Sequence, residues 1–397
     1  MFLLFLALFV VWALSRASAL LGSLAAFPCY EFLVSFQNWV KRELLGLESA
    51  GLLRPSRPGS PGAEHIDAYS NDYFGLARSA VSRATLLNRS PGAGASRLIY
   101  GNCGVHEELE STLADWVRQP ASLLFSSGYA ANVGVLTALC DHDSVIVSDA
   151  LNHASIIDGA RLARAEVQVV PHLDLEAIER ALTGVPNGKQ ALVVTESYFS
   201  MNGDQPNIGA LANLCARHRA ALVVDEAHAL GVYGPMGSGL CAQADVKPDI
   251  LVGTLGKAVG VQGAFVACEE ATRALLWNRA RSFVFSTATS PLVAELTLEH
   301  VMKLQAAEGE RARLRDLAAE LRTLLRQADF QVMPSDGPIV PIRMADFETA
   351  KHHEDTLREA GILTRAIRPP TIPAGTERLR LTVHADWPAD LPARIAN

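Results

Sequence analysis

The sequence predicts an α/β protein with a large domain, built on a mostly parallel sheet between helices, and a smaller C-terminal α+β domain. Two observations lead to this prediction. Through the middle of the chain, short apolar runs rich in β-branched residues alternate with helical segments, and most of these runs lack polar alternation, as is typical of strands covered on both faces. After Pro291 the pattern changes to long charged helical sequence followed by short strands. Repeated strand–helix alternation favours parallel strands.

The chain begins with an apolar leader, residues 1–35. Its unbroken apolar run, Met1 to Leu14, ends at Ser15 and is shorter than the roughly 20 residues of a spanning helix. Three interpretations remain open: a tilted membrane anchor over residues 2–28, a signal-like sequence whose cleavage site is the ASA tripeptide at 17–19, or a start that is not part of the functional protein.

An N-terminal helix and linker segment follows, residues 36–90. FQNWVKRELLGLESAGLL has the pattern of an amphipathic helix, and a Pro/Gly/Ser-rich linker runs from Pro55 to Gly62. The large domain is predicted over residues 91–290. Its candidate strands are SLLF (122–125), SVIVSD (144–149), VQVVP (167–171), ALVVTE (191–196), ALVVDE (221–226), DILVGT (249–254) and GAFVAC (263–268).

Helical segments separate these strands, for example LEAIERAL at 175–182 and IGALANLCARHRA at 208–220. The small domain is predicted over residues 291–397. Within it, 292–328 is one long charged amphipathic helix or a helix pair, and 338–383 mixes short strands with one helix.

Charge and cysteine content exclude several classes of protein. The 397 residues contain 35 Lys+Arg and 42 Asp+Glu, a net charge of −7, with no basic run. Nucleic-acid binding needs a clustered basic surface, so we do not expect it. The six cysteines lack the spacing of a metal site or a disulfide framework, which indicates reduced thiols and no metal. We therefore predict a cytoplasmic protein, with membrane association through residues 1–35 left open.

Polar residues that follow the predicted strands are the candidates for chemistry, because open parallel sheets bind ligands at the carboxyl ends of their strands. Five such groups occur: 126–129, 152–153, Ser200, 225–228 and 254–257. The last contains Lys257, which lies in the glycine-rich stretch GTLGKAVGVQGAF. A lysine in such an apolar stretch suggests a phosphate-binding P-loop or a Schiff-base lysine, against the alternative of a snorkelling surface lysine.

The P-loop interpretation fails on spacing. A P-loop requires G-x-x-x-x-G-K-[ST], and neither the sequence around Lys257 nor that around Lys189 fits it. The residues Asp225 to His228 spell the DEAH of helicases, but without a P-loop we treat that match as coincidence. The GAGASR sequence at 92–97 lacks the third glycine of a dinucleotide-binding fingerprint.

The Schiff-base interpretation accounts for more of these residues. Pyridoxal phosphate (PLP) needs an aldehyde-binding lysine and a carboxylate beside its pyridine nitrogen. Lys257 and Asp225 supply the two groups, and His153 can stack on the ring. The turn Ser127-Gly128-Tyr129 opens a helix whose N-terminus suits a phosphate. Thr254 adds a hydroxyl donor.

Nine motifs then occur in a characteristic order: SNDYFGLA (70–77), GAGASRLIYGNCGVHEELE (92–110), LLFSSGYAAN (123–132), SDALNHASIIDGARL (148–162), TESYFSMNGD (195–204), VVDEAHALGVYGPMGSGL (223–240), GTLGKAVGVQGAFV (253–266), FVFSTA (283–288) and AIRPPTIPAGTERLRLT (366–382). On these motifs the chain resembles the α-oxoamine synthase family of fold-type I PLP-dependent transferases, from about Phe36 to Val383.

The resemblance implies roles for individual residues. Lys257 would bind PLP covalently and later move the substrate α-proton, Asp225 would pair with the pyridine nitrogen, and His153 would stack on the ring. His228 and Ser200 would lie near the ring oxygen. The phosphate contacts implied are Ser127, Gly128, Tyr129 and Thr254, with Ser286 and Thr287 contributing across the interface of a homodimer.

The family joins an amino acid to an acyl-CoA with loss of CO2. The segment AIRPPTIPAGTERLR most resembles the members of biotin synthesis, which join L-alanine to pimeloyl-CoA or a pimeloyl carrier protein. The resemblance assigns Arg380 to the amino-acid carboxylate and Arg368 and Arg54 to the distal carboxylate of the acyl chain, and Asn71 is a further substrate candidate. Arg378 is predicted to be a surface charge.

Three departures from the family pattern stand out: Asn202 replaces an aspartate, Ser238 replaces an arginine, and HADWPADLPARIAN replaces the expected C-terminal strand and helix. The leader resembles that of membrane-anchored serine palmitoyltransferases, so this activity is the first alternative, followed by glycine C-acetyltransferase and 5-aminolevulinate synthase. The non-enzyme alternative is an inactive partner subunit, against which the presence of Lys257 and Asp225 argues.

Overall fold

The structure is a computed structural model that describes residues 28–53, 65–81 and 89–397. The chain divides into two compact units, Met1–Ser60 and Pro61–Asn397. The predicted leader before Pro28 and the predicted linker lie outside the described residues.

The first unit contains the predicted amphipathic helix, which begins at Pro28 rather than at Phe36 and ends at Ser49. From Phe36 onward nearly all of its side chains are exposed, including Trp39 and Leu45. None of the helices in the described ranges combines the length and the apolarity needed to cross a bilayer.

The second unit is built on a seven-stranded sheet, and each of the seven predicted strands is present in it. The strands among the described residues are β1 (Ile66–Asp67), β2 (Ala121–Phe125), β3 (Ser144–Asp149), β4 (Glu166–Val170), β5 (Gln190–Glu196), β6 (Ala221–Asp225), β7 (Ile250–Thr254), β8 (Ala264–Cys268), β9 (Ile339–Arg343), β10 (Ile362–Leu363), β11 (Arg365–Ile367) and β12 (Arg378–Thr382). The large sheet has the order β2-β8-β7-β6-β5-β3-β4. Within this sheet β8 runs antiparallel to the other six strands, which all point the same way, so the prediction of a mostly parallel sheet is confirmed.

Helices cover both faces of this sheet. In the described part of the chain the first unit contains the helix α1 (Pro28–Ser49). The helices of the second unit are α2 (Gly104–Trp116), α3 (Gly128–Leu139), α4 (Ala154–Ala163), α5 (Leu175–Thr183), α6 (Ile208–His218), α7 (Leu240–Gln243), α8 (Glu270–Arg279), α9 (Arg281–Val284), α10 (Pro291–Ala306), α11 (Glu308–Gln327), α12 (Phe347–Glu359) and α13 (Leu391–Ala396). Ile146 of β3 packs into the core that contains α3, α4 and α8, whereas Val147 packs into the core on the opposite face. The alternation follows from the two-residue period of a strand.

Side chains cap the helices that follow the strands. Asp174, Asn207 and Asp346 each accept a hydrogen bond from the backbone N–H three residues later, at 2.7–3.0 Å. Such caps satisfy N–H groups that have no partner within the helix. They fix where each helix starts after its strand or turn.

The C-terminal region forms a three-stranded antiparallel sheet, in the order β11-β12-β9, with α12 packed on it. The charged segment after Pro291 is a helix pair, α10 and α11, and not one long helix. The unusual C-terminal sequence is packed into the fold: Trp387 is buried, and its Nε1 donates to the carbonyl oxygen of Asp67 at 2.8 Å.

The prediction that Arg378 is a surface charge was wrong. Arg378 is buried, with 3% of its surface exposed, and its Nη1 donates to Asn202 Oδ1 at 2.6 Å and to the carbonyl oxygen of Met201 at 3.1 Å. Asn202 in turn donates to Asp204 Oδ2 at 3.0 Å. The amide that replaces the family aspartate therefore bridges an arginine and an aspartate.

His172 extends this network. Its Nδ1 lies 2.9 Å from Asp149 Oδ1 and its Nε2 lies 3.0 Å from Asp204 Oδ2. Burial opposes the charge on the imidazole, but the two carboxylates outweigh burial and raise the pKa of His172 to about 9. A folded-state pKa above the ordinary value means that charged His172 stabilises the fold fully below the ordinary pKa and loses this contribution as the pH rises through about 9.

We therefore expect the free energy of unfolding of the wild type to fall by about 1–2 kcal/mol relative to that of His172→Gln as the pH rises from about 6 to about 9.5. Urea unfolding of both proteins across this range is the measurement. His142→Gln, which changes an exposed histidine, is the control. A difference between wild type and His172→Gln that does not change with pH would contradict the assignment.

Candidate active site

Three neighbouring strands end at one edge of the large sheet with a polar side chain. β5 ends at Glu196, β6 at Asp225 and β7 at Thr254, and Glu196 pairs in register with Asp225. Lys257 lies three residues beyond β7. Its pKa responds to the charges of Asp225 and Glu196, so the three groups lie close together. The sheet thus brings the predicted lysine and the predicted acid to the same place.

Asp225 is buried and held in a fixed orientation. Its Oδ1 accepts from the backbone N–H of Ala227 at 2.8 Å, and its Oδ2 accepts from Nδ2 of Asn132 at 2.7 Å. The same Nδ2 donates its second hydrogen to Ser155 Oγ at 2.9 Å. The helix α3 therefore orients the carboxylate at the end of β6.

His153 is tied into this network at the start of α4. Ser155 Oγ lies 2.8 Å from His153 Nδ1, and the backbone N–H of Ser155 donates to the same nitrogen at 3.2 Å. A serine hydroxyl has one hydrogen, and Asn132 already donates to its oxygen, so Ser155 donates to Nδ1. Burial lowers the pKa of His153, and the nearby Lys257 adds to this effect against Asp225. His153 is therefore a neutral ring with its proton on Nε2.

The surroundings of Lys257 favour a neutral amine. Burial is the largest effect on its pKa, and it outweighs the carboxylates of Asp225 and Glu196, while Arg380 adds a further lowering. The result is a pKa of about 8. A lysine must be neutral to attack an aldehyde or to accept a proton, so this environment suits a reactive amine.

Glu196 is a buried carboxyl group next to this lysine. It is 4% exposed, and its Oε1 is buried with no hydrogen-bond partner among the described residues. Burial and the neighbouring Asp225 raise its pKa to about 8, against the opposing charge of Lys257. The protonated form of Glu196 is therefore favoured at neutral pH.

His228 is also buried, three residues after Asp225 in the chain. Its Nδ1 lies 2.7 Å from the hydroxyl oxygen of Tyr73. Burial, reinforced by the positive charges of Lys257 and Arg380, holds the pKa of His228 well below its ordinary value. The ring is neutral, so one of its two nitrogens carries the proton and the other is an acceptor.

The start of α3 lies beside Thr254. Ser127 caps the helix, since its Oγ accepts from Ala130 N–H at 3.1 Å. A Cβ built on Gly128 would lie 3.7 Å from Thr254 Oγ1, so the first residue of the helix lies next to this hydroxyl. Helix N-termini and hydroxyls together suit a phosphate dianion. The side chain of Tyr129 points elsewhere, because its hydroxyl donates to Asp158 Oδ2 at 2.7 Å.

Arg380 projects from β12 of the C-terminal sheet, and contacts from distant parts of the chain hold it. It is 6% exposed, its Nη2 donates to Asn71 Oδ1 at 3.0 Å, and its Nε donates to the carbonyl oxygen of Ser200 at 2.8 Å. Nη1 donates to Thr382 Oγ1 at 2.8 Å. The structure therefore brings together Arg380, Asn71 and Ser200, which the sequence analysis selected separately.

Four predicted residues remain: Ser286, Thr287, Arg368 and Arg54. Ser286 and Thr287 line a small pocket together with Ser126, next to the start of α3 in the same chain. Arg368 lies over the ring of Phe347, with its Cζ 4.7 Å from the ring centroid. Arg54 lies outside the described residues.

The sequence analysis missed Glu196, Tyr73 and Asn132. Glu196 could have been found, because it ends the predicted strand ALVVTE and the same rule selected Asp225. Tyr73 stands inside the SNDYFGLA motif, but only the fold brings it to His228. Asn132 lies one turn into a helix, where nothing in the local sequence points to Asp225.

The donor set fits PLP. A lysine with a lowered pKa and a fixed carboxylate lie close together, a histidine ring borders them, and a helix N-terminus with a threonine hydroxyl is available to a phosphate. The glycine at 128 supports this fit, because the space beside it is bordered by the Thr254 hydroxyl and not by a bulky side chain.

Comparisons with known proteins agree with this assignment. A family model described as aminotransferase class I and II matches residues 64–395. The 8-amino-7-oxononanoate synthase of Chromohalobacter salexigens is 44% identical over a stretch that covers 81% of this chain and 85% of that protein.

Among solved structures, one described as serine palmitoyltransferase with PLP aligns with a TM-score of 0.83 at 28% identity, covering 92% of this chain and 96% of that one. The 8-amino-7-oxononanoate synthase of Francisella tularensis aligns with a TM-score of 0.72 at 27% identity, covering 83% of this chain and 95% of that one.

Proposed function

We propose a function from the premise that this chain belongs to the α-oxoamine synthases, which are PLP-dependent acyltransferases of the aminotransferase class I and II family. The proposed reaction is the condensation of L-alanine with pimeloyl-CoA or a pimeloyl carrier protein. The products are 8-amino-7-oxononanoate, CO2 and the free thiol of CoA or of the carrier. The observation that carries the substrate assignment is the 44% identity to the 8-amino-7-oxononanoate synthase of Chromohalobacter salexigens over most of both chains.

Two arginines support a substrate pair with two separate carboxylates. Arg380 is fixed by three hydrogen bonds beside the candidate lysine, where it would bind the α-carboxylate of the amino acid. Arg368 lies on the loop after β11, where it would bind the distal carboxylate of the pimeloyl chain.

PLP supplies an electron sink for the carbanion that forms at the amino-acid Cα. Lys257 would hold the cofactor through its amine and, once released, accept the α-proton as a neutral base. Asp225 would place its negative charge at the pyridine nitrogen, while His153 stacks on the ring. His228 and Ser200 would face the ring oxygen.

The phosphate would be held by the N–H groups at Gly128 and Tyr129 and by the hydroxyls of Ser127 and Thr254. We further propose a homodimer in which Ser286 and Thr287 reach the partner's phosphate. The apolar side chains of Ile99 and Phe285, 81% and 71% exposed, support an interface near these two residues. The bridge between Ser96 and Thr287 places the two exposed segments side by side.

The decisive test is thiol release measured over a matrix of amino acids and acyl donors. We expect kcat/KM for alanine with pimeloyl-CoA to exceed that for serine or glycine, with palmitoyl- or acetyl-CoA, by at least about 10-fold. Lys257→Ala is the control for background hydrolysis. Faster turnover of serine with palmitoyl-CoA than of alanine with pimeloyl-CoA would overturn the biotin-pathway assignment.

A serine palmitoyltransferase activity is the second candidate, because a solved enzyme of that name aligns over 92% of this chain. Arg368→Ala separates the two. If pimeloyl-CoA is the substrate, this variant raises KM for pimeloyl-CoA and leaves the KM for an uncharged acyl-CoA unchanged.

A further inference from the structure

Tyr73 and His228 form a fully buried pair that the proposed reaction does not yet use. Tyr73 has no exposed surface and His228 has 5%. The hydroxyl oxygen lies 2.7 Å from Nδ1, and the two residues come from segments 155 positions apart. Which of the two atoms donates in this hydrogen bond depends on the tautomer of the imidazole.

Arg380 decides these roles. Its guanidinium faces the Tyr73 hydroxyl as well as Asn71 and Ser200. A guanidinium has only donors, so the phenol oxygen presents its lone pairs to Arg380 and its single hydrogen to the other neighbour. That neighbour is Nδ1 of His228. Nδ1 is therefore the acceptor.

The proton of the neutral imidazole must then sit on Nε2. Burial and two nearby cations keep His228 from taking up a second proton, so the ring cannot donate from both nitrogens. The consequence is a fixed tautomer, with an N–H donor on the side of the ring away from Tyr73.

We propose that Tyr73 is a positioning residue: its hydroxyl fixes His228 as the Nε2–H tautomer and so gives the cofactor-facing side of His228 a permanent donor. The statement that His228 faces PLP rests on the proposed function. The assignment of the tautomer does not depend on it. The Tyr73 hydroxyl also faces Arg380, so it connects the arginine assigned to the substrate carboxylate with the histidine assigned to the cofactor.

The tautomer can be read directly by 15N NMR of the holoenzyme labelled at histidine, with the His228 signal assigned by its loss in His228→Gln. We expect the Nε2–H form in the wild type and in Tyr233→Phe, which removes a different buried hydroxyl, one that donates to Asp336. In Tyr73→Phe we expect the Nδ1–H form to appear. An Nδ1–H tautomer in the wild type would overturn the proposal whatever the substrates are.

The visible absorption spectrum of bound PLP gives a second readout that does not depend on turnover. We expect Tyr73→Phe to shift the band and to weaken amino-acid binding about 3- to 10-fold, whereas Tyr233→Phe leaves both unchanged. In a His228→Gln background the NH2 group of the glutamine is a donor whichever residue stands at position 73. Tyr73→Phe should therefore cause no further shift of the PLP absorption band in that background. Equal shifts in both backgrounds would mean that Tyr73 acts only on packing and would contradict the proposal.

Discussion

Replacing Lys257 with alanine abolishes covalent attachment of PLP and lowers the rate of thiol release by at least about 10²–10⁴-fold. The reason is that the amine with a pKa of about 8 is both the attachment point and the proposed base for the α-proton, and general acid–base catalysis alone contributes about 10²–10⁴-fold. The measurement is reduction of the holoenzyme with borohydride, followed by mass spectrometry of its peptides.

Lys247→Ala is the matched control. Lys247 is half exposed and pairs with Glu269 at the surface, so its loss should affect neither labelling nor turnover. We expect the borohydride label on the peptide that contains Lys257 in both the wild type and Lys247→Ala. Label on another lysine, or unchanged turnover in Lys257→Ala, would show that the wrong amine has been assigned.

The second large effect is expected for Asp225→Asn, which removes a charge at constant shape. Both oxygens of Asp225 accept hydrogen bonds, one from Ala227 N–H and one from Asn132 Nδ2. An asparagine must turn its NH2 toward one of these donors and so loses a hydrogen bond as well as the charge. We expect the rate of thiol release to fall by at least about 10²-fold while PLP stays bound to Lys257.

Asp225→Asn should therefore lose turnover but keep the borohydride label on Lys257, whereas Lys257→Ala should lose both. Asp245→Asn, at a fully exposed side chain, serves as the control for the chemical change itself. If Asp225→Asn keeps wild-type turnover, the carboxylate is not needed at the pyridine nitrogen and the assignment of Asp225 is wrong.

The sheet was largely predictable because its strands are continuous apolar runs, and such runs carry a strong signal in a chain of ordinary globular composition. Their direction was not predictable from that signal. GAFVAC has the same apolar character as its neighbours, yet β8 runs antiparallel to both of them. Strand order and direction depend on long-range packing that a local pattern does not encode.

The candidate site divides in the same way. Residues at strand ends, such as Asp225 and Thr254, follow from the rule that ligands bind at the carboxyl edge of a parallel sheet. Arg378 shows the limit of local inference. The charge of an arginine suggests an exposed side chain, but the fold supplies Asn202 and Met201 as partners and allows Arg378 to be buried.

Tyr73 and Asn132 show a further limit, since their roles depend on partners 155 and 93 positions away in sequence. Only the packed structure reveals which side chains orient His228 and Asp225. Sequence motifs can therefore point to the residues that would touch a cofactor more readily than to those that orient them.

An experimentally determined structure of the PLP-loaded enzyme tests the central claim most directly, through two distances in one site. The account predicts Nζ of Lys257 bonded to the cofactor carbon that bears the aldehyde, and a carboxylate oxygen of Asp225 within hydrogen-bond distance, about 2.7–3.2 Å, of the pyridine nitrogen. A cofactor bound to another amine, or a pyridine nitrogen with no contact to Asp225, would contradict it.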